Sequence, residues 1–270
     1  MDYSVLMSVY KREKVINLRL SLDSIFSQTK KSNDIVLVCD GVLTEELDTL
    51  ISELQSLHSE LHVYRLKENQ GLGKALNFGL SKCLNEIVAR MDTDDISAVN
   101  RMEKELAIIA NGDSSVIGSN ISEFYDFEEN VVHQRVVPET HEEILSFAKL
   151  RNPMNHMTVM FKKSEVLSVG GYKHFPFLED YFLWVRMIQR GYRFYNIQEN
   201  LVNVRSGIEM YNRRSGLEVL YSNALFSFKL KQMCFLSYSE FIRNFLSRTV
   251  ITLLPASLKK NVYERFLRKK

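Results

Sequence analysis

The stretch Glu86-Ile87-Val88-Ala89-Arg90-Met91-Asp92-Thr93-Asp94-Asp95 joins an apolar run to three carboxylates. Residues 86–91 have the length and composition of a buried β-strand, and the aspartates follow at its carboxyl end. Carboxylates in that position are costly to desolvate unless they meet a cation or take part in proton transfer. A second acidic pair, Glu179-Asp180, precedes a helical pattern. Two such clusters in a chain of alternating strands and helices favour metal-assisted group transfer.

Strands and helices alternate on both sides of this stretch. In the first half, apolar runs predict strands at Tyr3–Val9, Asp34–Val38, His62–Leu66 and Glu86–Met91. Apolar residues at helical spacing predict the helices between them: Leu18, Leu22 and Ile25; Leu47, Leu50, Ile51, Leu54 and Leu57; and residues 73–84. This alternation is typical of a parallel sheet with right-handed crossovers. The predicted fold class is therefore α/β.

The second half is less regular. Further strands are predicted at Val116–Ser119, Val131–Val137, Thr158–Phe161 and Tyr192–Ile197. A helix is predicted over Glu179–Arg190, and from about residue 210 the pattern is mainly helical and aromatic. This half continues the α/β pattern before a helical C-terminal part begins.

Several polar residues follow the ends of predicted strands. Ligands of open α/β sheets bind beyond the carboxyl ends of the strands, where Tyr10, Asp40 and Asp92–Asp95 all fall. Residues two apart in an extended segment face the same side, so Asp92 and Asp94 converge. Mg²⁺ or Mn²⁺ takes hard oxygen ligands and keeps substrate phosphates and waters, which suits these two carboxylates and a diphosphate. The alternative is a solvated acidic turn that caps the next helix.

Glu179-Asp180 stands at the start of a predicted helix. An aspartate held there by packing can act as a catalytic base towards a reacting hydroxyl. The alternative is a pair of acids that only interact favourably with the helix macrodipole. Agreement with the other motifs favours the catalytic interpretation.

Four further features have both a functional and a structural interpretation. Gly71-Leu72-Gly73-Lys74 matches neither a dinucleotide fingerprint nor a P-loop, and is either a helix start or a loop with Lys74 near a phosphate. His156 is an acceptor contact or ligand, or a buried hydrogen-bonded histidine. Arg213-Arg214 stabilises a departing diphosphate or forms a solvated basic turn. Trp184 belongs to the core or lines an acceptor pocket.

The composition is that of an ordinary folded protein. The chain has 270 residues, 45% hydrophobic and 25% charged, enough for one large α/β domain with or without an appendage. Its cysteines, Cys39, Cys83 and Cys234, are widely spaced, so neither a disulfide framework nor a zinc site is expected and a reducing cytoplasm is favoured. Neither a signal peptide nor a membrane-spanning segment is expected.

The C-terminal residues 241–270 are strongly basic. They carry eight lysines and arginines against Glu264 alone, whereas the whole chain has a net charge of +2. The apolar residues of Phe241–Leu254, interrupted by Arg243 and Arg248, favour an interfacial segment on anionic lipid. The alternative is a docked C-terminal helix with solvated charges. Nucleic acid is not an expected partner, because the basic residues are confined to this tail.

Six motifs occur in a fixed order along the chain: Ser4-Val5-Leu6-Met7-Ser8-Val9-Tyr10, Asp40-Gly41, Asn69-x-Gly71-x-x-x-Ala75-x-Asn77-x-Gly79, Ala89-Arg90-Met91-Asp92-Thr93-Asp94-Asp95, Gly170-Gly171-Tyr172 and Glu179-Asp180-Tyr181-x-x-Trp184. Together they resemble the family 2 glycosyltransferases of GT-A fold. The nearest type is the bacterial enzymes that build O-antigen or exopolysaccharide repeat units, including those of amylovoran synthesis. The resemblance covers about residues 3–215, and the ordered set is specific where each piece is not.

The resemblance implies a role for each matching position. On the donor side it places Tyr10, Asp40, Asn69, Lys74 and Asp92, with Tyr10 and Asp40 at the nucleotide base. Asp94, with Asp92, would hold the divalent ion that bridges the diphosphate. Asp180, with Glu179 beside it, would deprotonate the acceptor hydroxyl. The family inverts the anomeric centre by direct displacement, so an α-linked sugar nucleotide would give a β-linkage.

Three departures from the family pattern bear on function. Cys39 replaces an aspartate that many members carry, and Leu76 replaces a frequent arginine, which leaves the contacts to the donor base open. The Gln-x-x-Arg-Trp signature of processive synthases is absent from the sequence. That absence favours addition of a single sugar over polymerisation.

The sequence therefore predicts an inverting, metal-dependent glycosyltransferase. It would move one hexose from UDP-glucose or UDP-galactose to a polyprenyl-diphosphate-linked saccharide at the inner face of the cell membrane. Residues 1–215 would form the GT-A domain, with a nucleotide-binding half at 1–100 and an acceptor half at 101–215. Residues 216–270 would form a helical, basic, amphipathic extension.

Two other functions are compatible with parts of the pattern. A sugar-phosphate nucleotidyltransferase would need a glycine-rich loop after the first strand, but Lys11-Arg12-Glu13-Lys14 has no glycine. A non-catalytic membrane-associated partner protein of the same fold is disfavoured by the intact Asp92, Asp94 and Asp180.

Overall fold

The computed structural model describes residues 1–125, 130–206, 216–255 and 258. Its strands are β1 Tyr3–Val9, β2 Asp34–Cys39, β3 Leu61–Arg65, β4 Ile87–Arg90, β5 Ile96–Ser97, β6 Val116–Phe124, β7 Val131–Arg135, β8 Met160–Lys162 and β9 Phe194–Arg205. Its α-helices are α1 Val15–Phe26, α2 Glu45–Leu57, α3 Leu72–Leu80, α4 Arg101–Ile109, α5 His141–Ala148, α6 Lys163–Ser168, α7 Glu179–Gln189, α8 Leu217–Gln232 and α9 Tyr238–Leu253. A 3₁₀ turn covers His156–Thr158.

All of these strands belong to one sheet in the order β3-β2-β1-β4-β8-β6-β9-β5, with β7 paired to β6. The pairs β3/β2, β2/β1, β1/β4 and β6/β9 are parallel, whereas β8 is antiparallel to both β4 and β6. The α/β prediction is confirmed. Because β8 joins β4 to β6, the sheet continues across the boundary predicted at residue 100.

The sheet is covered on both faces. Successive side chains of a strand point to opposite sides, so Val5 and Met7 enter one apolar cluster while Leu6 enters the other. Every residue of β2, β4 and β6 is buried. Burial on both sides explains why β2 appears in the sequence as a continuous apolar run rather than as an alternating pattern. In β6 the buried residues include the polar Ser119, Asn120 and Ser122.

The boundaries of some elements differ from the prediction. Leu57 was expected in the buried stripe of α2 but is 67% exposed, because as the last residue of the helix it lies at the margin of the stripe. α3 ends at Leu80 rather than at residue 84. β9 is longer than expected and extends to Arg205. That extension brings the end of β9 to the acidic residues that follow β4.

α8 and α9 pack against each other after the sheet. Ser227 donates to Asn244 Oδ1 at 2.7 Å, and Lys149 of the main domain pairs with Glu240 at 2.7 Å. Thus α9 is a docked helix. Within the described ranges, no helix is both long enough and apolar enough to span a membrane.

The sides of α8 and α9 that face away from the domain are apolar. We call this surface the outer face; it comprises the exposed side chains of Leu217, Tyr221, Leu225, Phe228, Tyr238, Ile242, Leu246, Val250 and Leu253. The Phe228 ring contacts Phe241 and Phe245, which connects the two helices at this surface. Residues 259–270, which carry most of the basic charge of the tail, lie outside the described residues.

Candidate active site

Asp92, Asp94 and Asp95 form one cluster just beyond the end of β4. One carboxylate oxygen of each lies within 4.8 Å of the others. Asp95 is buried; its Oδ1 accepts a hydrogen bond from the Arg205 backbone N–H at 2.9 Å, and its Oδ2 has no partner among the described residues. Asp92 forms an ion pair with Arg90. The convergence of Asp92 and Asp94 expected from the sequence is thus present in the structure.

The cluster concentrates negative charge where water is scarce. Burial, with additional repulsion from Asp92 and Glu13, raises the pKa of Asp94 to about 7. Burial and the charges of Asp94 and Asp92 likewise raise the pKa of Asp95. Such an arrangement of hard oxygen donors is stabilised by a divalent cation. The three carboxylates and the unpartnered Oδ2 of Asp95 therefore fit a metal site.

Buried contacts hold the backbone that carries the cluster. Arg101 and Glu105 form a fully buried ion pair at 3.0 Å, and Arg101 also donates to the Arg90 carbonyl at 2.9 Å. Ser21 donates to the Asp92 carbonyl at 2.7 Å. These contacts fix the strand end from α4 and from α1, so the direction of the aspartates is set by the fold.

Asp180 lies in the first turn of α7 and accepts a hydrogen bond from Asn152 Nδ2 at Oδ2, 2.5 Å away. Burial raises its pKa, while the Tyr181 backbone N–H, the Asn152 amide and the charges of Arg90 and Arg135 oppose that rise. A carboxylate whose pKa is moved towards neutrality accepts a proton more readily, as a general base must.

Arg90 and Tyr172 connect Asp180 to the acid cluster. The Arg90 side chain is only 2% exposed, and its positive charge lowers the pKa values of Asp94, Asp95 and Asp180. Burial raises the pKa of the Tyr172 hydroxyl; the charge of Arg90 lowers it, and those of Asp180 and Asp92 raise it. The two acidic groups, far apart in sequence, therefore act on the same side chains.

His156 lies next to Tyr172, and Trp184 lies next to His156. His156 Nε2 is 2.9 Å from the Tyr172 hydroxyl, and burial together with the charge of Arg90 lowers the histidine pKa well below its usual value, so the ring is neutral. Trp184 is fully buried and contacts both His156 and Phe194. Trp184 thus occupies a core position. His156 makes a hydrogen bond, as expected from the interpretation of this residue as a buried, hydrogen-bonded histidine.

On the donor side, Asp40 holds a loop. Its Oδ1 accepts from the Gln70 N–H at 2.7 Å and its Oδ2 from the Gly71 N–H at 3.0 Å, while Asn69 Nδ2 donates to the Asp40 carbonyl. Gly41, with φ of +89°, allows this close approach, since a Cβ there would lie 2.7 Å from Asn69 N. Asp40 thereby shapes the loop before α3.

The other donor-side positions are more open. Tyr10, directly after β1, is 40% exposed, and Lys74 is exposed on α3. Glu179 lies against the start of α3, where a Cβ on Gly73 would be 3.2 Å from Glu179 Cγ. Arg213 and Arg214 lie outside the described residues, and their roles stay predictions, as do those of the other positions.

Asn77 makes a contact with Tyr172 that the sequence analysis did not predict. Its Oδ1 accepts from the Tyr172 backbone N–H at 2.7 Å, and its Nδ2 donates to the Tyr172 carbonyl. Further along α3, a Cβ on Gly79 would lie 2.4 Å from Leu6 Cδ1, so the glycine lets the helix approach the sheet. Part of the Asn69-to-Gly79 motif therefore joins α3 to the turn that carries Tyr172.

Arg90 and Asn152 were also missed as site residues. An arginine within an otherwise apolar strand is a signal for Arg90, because a buried guanidinium requires a carboxylate partner. For Asn152, Asn152-Pro153-Met154-Asn155-His156 contained no feature that indicated contact with a residue 28 positions away. That contact depends on the tertiary structure.

Comparison with known proteins relates the chain to glycosyltransferases. The model of the family described as Glycosyl transferase family 2 matches residues 4–169. The amylovoran biosynthesis glycosyltransferase AmsE of Erwinia amylovora is 37% identical, over 97% of this chain and 98% of that protein. The UDP-Gal:alpha-D-GlcNAc-diphosphoundecaprenol beta-1,3-galactosyltransferase of Escherichia coli is 34% identical, over 99% of this chain and 97% of that protein.

Among solved structures, S. aureus TarS in complex with UDP-GlcNAc is similar, with a TM-score of 0.66 and 18% identity. The similarity covers 92% of this chain and 72% of that one. At this level of identity the likeness concerns the fold. It confirms the GT-A fold expected from the six motifs.

Proposed function

This chain belongs to glycosyl transferase family 2 and is a glycosyltransferase, and from that premise we propose that it transfers one hexose, with inversion, from a UDP-hexose to a lipid-diphosphate-linked saccharide. The observation that carries the proposal is the placement of Asp180 and of the Asp92–Asp95 cluster around Arg90 and Tyr172. A base and a cation site close together are what displacement of a diphosphate requires.

In this proposal Asp180 acts on the acceptor. It takes the proton from the attacking hydroxyl as the oxygen bonds to the anomeric carbon, and the bond from that carbon to the diphosphate breaks with its electron pair leaving on UDP. Glu179 lies beside the base. Attack opposite the leaving group inverts the anomeric centre.

In this proposal the donor binds on the side of the acid cluster. Tyr10, Asp40, Asn69 and Lys74 bind the nucleotide, and Asp92 and Asp94 hold Mn²⁺ or Mg²⁺. When bound, the cation neutralises charge on the diphosphate. The unpartnered oxygen of Asp95 and the repulsion within the cluster support this assignment. Arg213 and Arg214 contact the departing diphosphate.

The substrates are inferred from relatives of nearly full length. The E. coli relative is named for transfer of galactose to GlcNAc-diphosphoundecaprenol, and AmsE for amylovoran biosynthesis. We therefore place this chain in O-antigen or exopolysaccharide synthesis, with UDP-galactose or UDP-glucose as donor. Such an acceptor is anchored in lipid, so the enzyme works at the inner surface of the cell membrane. The outer face of α8 and α9 and the basic residues beyond it supply the contact.

The test combines substrates with one variant. Purified full-length protein is incubated with Mn²⁺, a panel of UDP-sugars and a synthetic GlcNAc-diphosphate-lipid, and products are identified by mass spectrometry. We expect the mass of one hexose to be added, and the anomeric proton coupling in the NMR spectrum of the purified product should show a β-linkage. Asp180→Asn should lower kcat by roughly 10²-fold or more because it removes the proton acceptor, while calorimetry shows unchanged UDP-sugar binding.

Asn111→Asp replaces an exposed residue just after α4 and serves as the control for an Asn-to-Asp or Asp-to-Asn substitution away from the site. Full activity of Asp180→Asn would refute the assignment of the base. Failure of every UDP-sugar in the panel to be transferred would refute the proposed reaction.

A further inference from the structure

Asn152 lies in the segment between α5 and the 3₁₀ turn and directs its side-chain amide at Asp180. We propose that Asn152 is a positioning residue, which holds Oδ2 of Asp180 so that Oδ1 is presented to the acceptor hydroxyl. The inference rests on the proposed role of Asp180 as base. It adds a residue that none of the six sequence motifs contains.

The hydrogen bond itself is short and directional. Asn152 Nδ2 lies 2.5 Å from Asp180 Oδ2, and both residues are only partly exposed. A side-chain amide N–H donates a hydrogen bond but does not give up its proton to a carboxylate, so it occupies one oxygen without protonating the base. Hydrogen bonds to an ionised group are stronger than those between neutral groups. The contact therefore restricts rotation of the carboxylate.

Asn152 is itself held in place. Its Oδ1 accepts from the Met154 backbone N–H at 3.2 Å, which fixes the orientation of the amide and directs Nδ2 away from that turn. Its carbonyl accepts from Arg135 Nη2 at 2.8 Å, which ties the segment to β7. The amide therefore approaches Asp180 from a turn fixed at two points.

The same segment is fixed a few residues further on. Asn155 Nδ2 donates to the Ser119 carbonyl on β6 at 2.8 Å, and His156 contacts the Tyr172 hydroxyl. The segment from Asn152 to His156 thus links β6 and Tyr172 to the proposed base. A purely structural role would be satisfied by these other contacts, none of which needs the Asn152 side chain to touch Asp180.

Five titratable groups interact electrostatically with Asp180. Arg90 from β4 and Arg135 from β7 favour its ionised form, whereas Glu179 and Tyr181 on the same helix and the Tyr172 hydroxyl carry or can acquire negative charge near it. Two arginines nearby would keep the carboxylate ionised but do not set its direction. The amide supplies the direction, and that contribution is separable by mutation.

Asn152→Asp is the sharpest probe. It keeps the size and the oxygen that accepts from Met154, and it replaces the donor to Asp180 by a repelling oxygen. At saturating Mn²⁺ and about pH 7 we expect kcat to fall roughly 10- to 100-fold, with UDP-sugar affinity within the range of Asn111→Asp. The acidic limb of the pH profile of kcat/KM should move upwards by about one pH unit or more.

Asn152→Ala is run in parallel, since it removes the donor without adding charge. It should lower kcat with a smaller displacement of the acidic limb, and it carries the test if Asn152→Asp does not fold. Wild-type kcat and an unmoved acidic limb in the folded variants would overturn the proposal. Asp180→Asn separates the two hypotheses: if it is inactive while the Asn152 variants are normal, only the role of Asn152 fails. An active Asp180→Asn would instead remove the base assignment.

Discussion

Charge is buried at the end of β4, whereas apolar side chains are exposed on the outer face of α8 and α9. Asp95 is 2% exposed beside Asp92 and Asp94, and Arg90 is the cation paired with the cluster. On the outer face, Leu246 is 55% exposed and Leu253 is 64% exposed. Most of the chain follows the opposite rule, with apolar clusters on both faces of the sheet.

The two regions would be stabilised by different kinds of partner. The carboxylates repel one another when they are ionised, and the proposed cation would relieve that repulsion. The outer face would lose unfavourable contact with water on any apolar surface, and the membrane that carries the proposed lipid acceptor would supply one. The acid cluster is therefore expected to respond to metal and proton, and the outer face to lipid.

The largest expected effect is a loss of transfer activity when the acid cluster is changed but not when the outer face is changed. Asp94→Asn removes a proposed metal ligand and should reduce Mn²⁺-stimulated transfer by about 10²-fold or more, whereas Leu246→Glu should leave transfer to a short-chain, water-soluble acceptor unchanged. The measurement is the rate of UDP release over a Mn²⁺ titration with each acceptor.

Asp113→Asn, an exposed aspartate after α4, is the matched control for loss of one negative charge. Asp94→Asn should also raise the melting temperature of the metal-free protein, because it relieves repulsion in a buried cluster. Wild-type response to Mn²⁺ in Asp94→Asn would contradict the metal role.

The first strands of the sheet were predictable because β1, β2 and β4 each contain an apolar run. β1 begins and ends at the predicted residues, and β2 extends one residue beyond its predicted end. β6 and β9 were predicted too short, since their later residues, including Asn120, Ser122 and Asn203, are polar and are paired strand to strand. Polar residues buried by pairing interrupt the periodicity on which the prediction relies.

The site was predictable to the extent that its residues are local in sequence. Asp92–Asp95 and Glu179-Asp180 form compact motifs, and the structure gathers the former into one cluster. Arg90, Asn77 and Asn152 act through partners that are distant in the chain or are paired only after folding, such as Tyr172 and Asp180. A single sequence contains no record of such pairings.

A smaller effect is expected from the outer face. Leu246→Glu should weaken binding to vesicles containing anionic lipid by about 10-fold or more, because burial of one leucine contributes roughly 1.5–3 kcal/mol. Co-sedimentation measures the bound fraction over a lipid titration. Leu57→Glu makes the same exchange at an exposed leucine of α2 and should bind as the wild type does. Equal binding by both variants would contradict the lipid contact.

The smallest effect concerns how pH changes the stability given by the metal. The pKa of Asp94 is raised to about 7 and that of Asp95 is raised as well, so the folded protein holds protons that the unfolded chain has already released. The stability of the metal-free protein should therefore fall as pH rises from about 4 to about 7, the range between the unfolded and folded pKa values.

A cation competes with those protons and restores the stability that deprotonation removes. Mn²⁺ should therefore raise the melting temperature by a few degrees more at about pH 8 than at about pH 5.5. Differential scanning fluorimetry at both pH values measures the difference, and Asp94→Asn should reduce it. The outer face offers the contrast: its exposed apolar side chains do not titrate in this range, so any stabilisation by vesicles should change less between the two pH values. A Mn²⁺ shift of equal size at both would mean that the cation binds elsewhere, and the acid cluster would then need no ion.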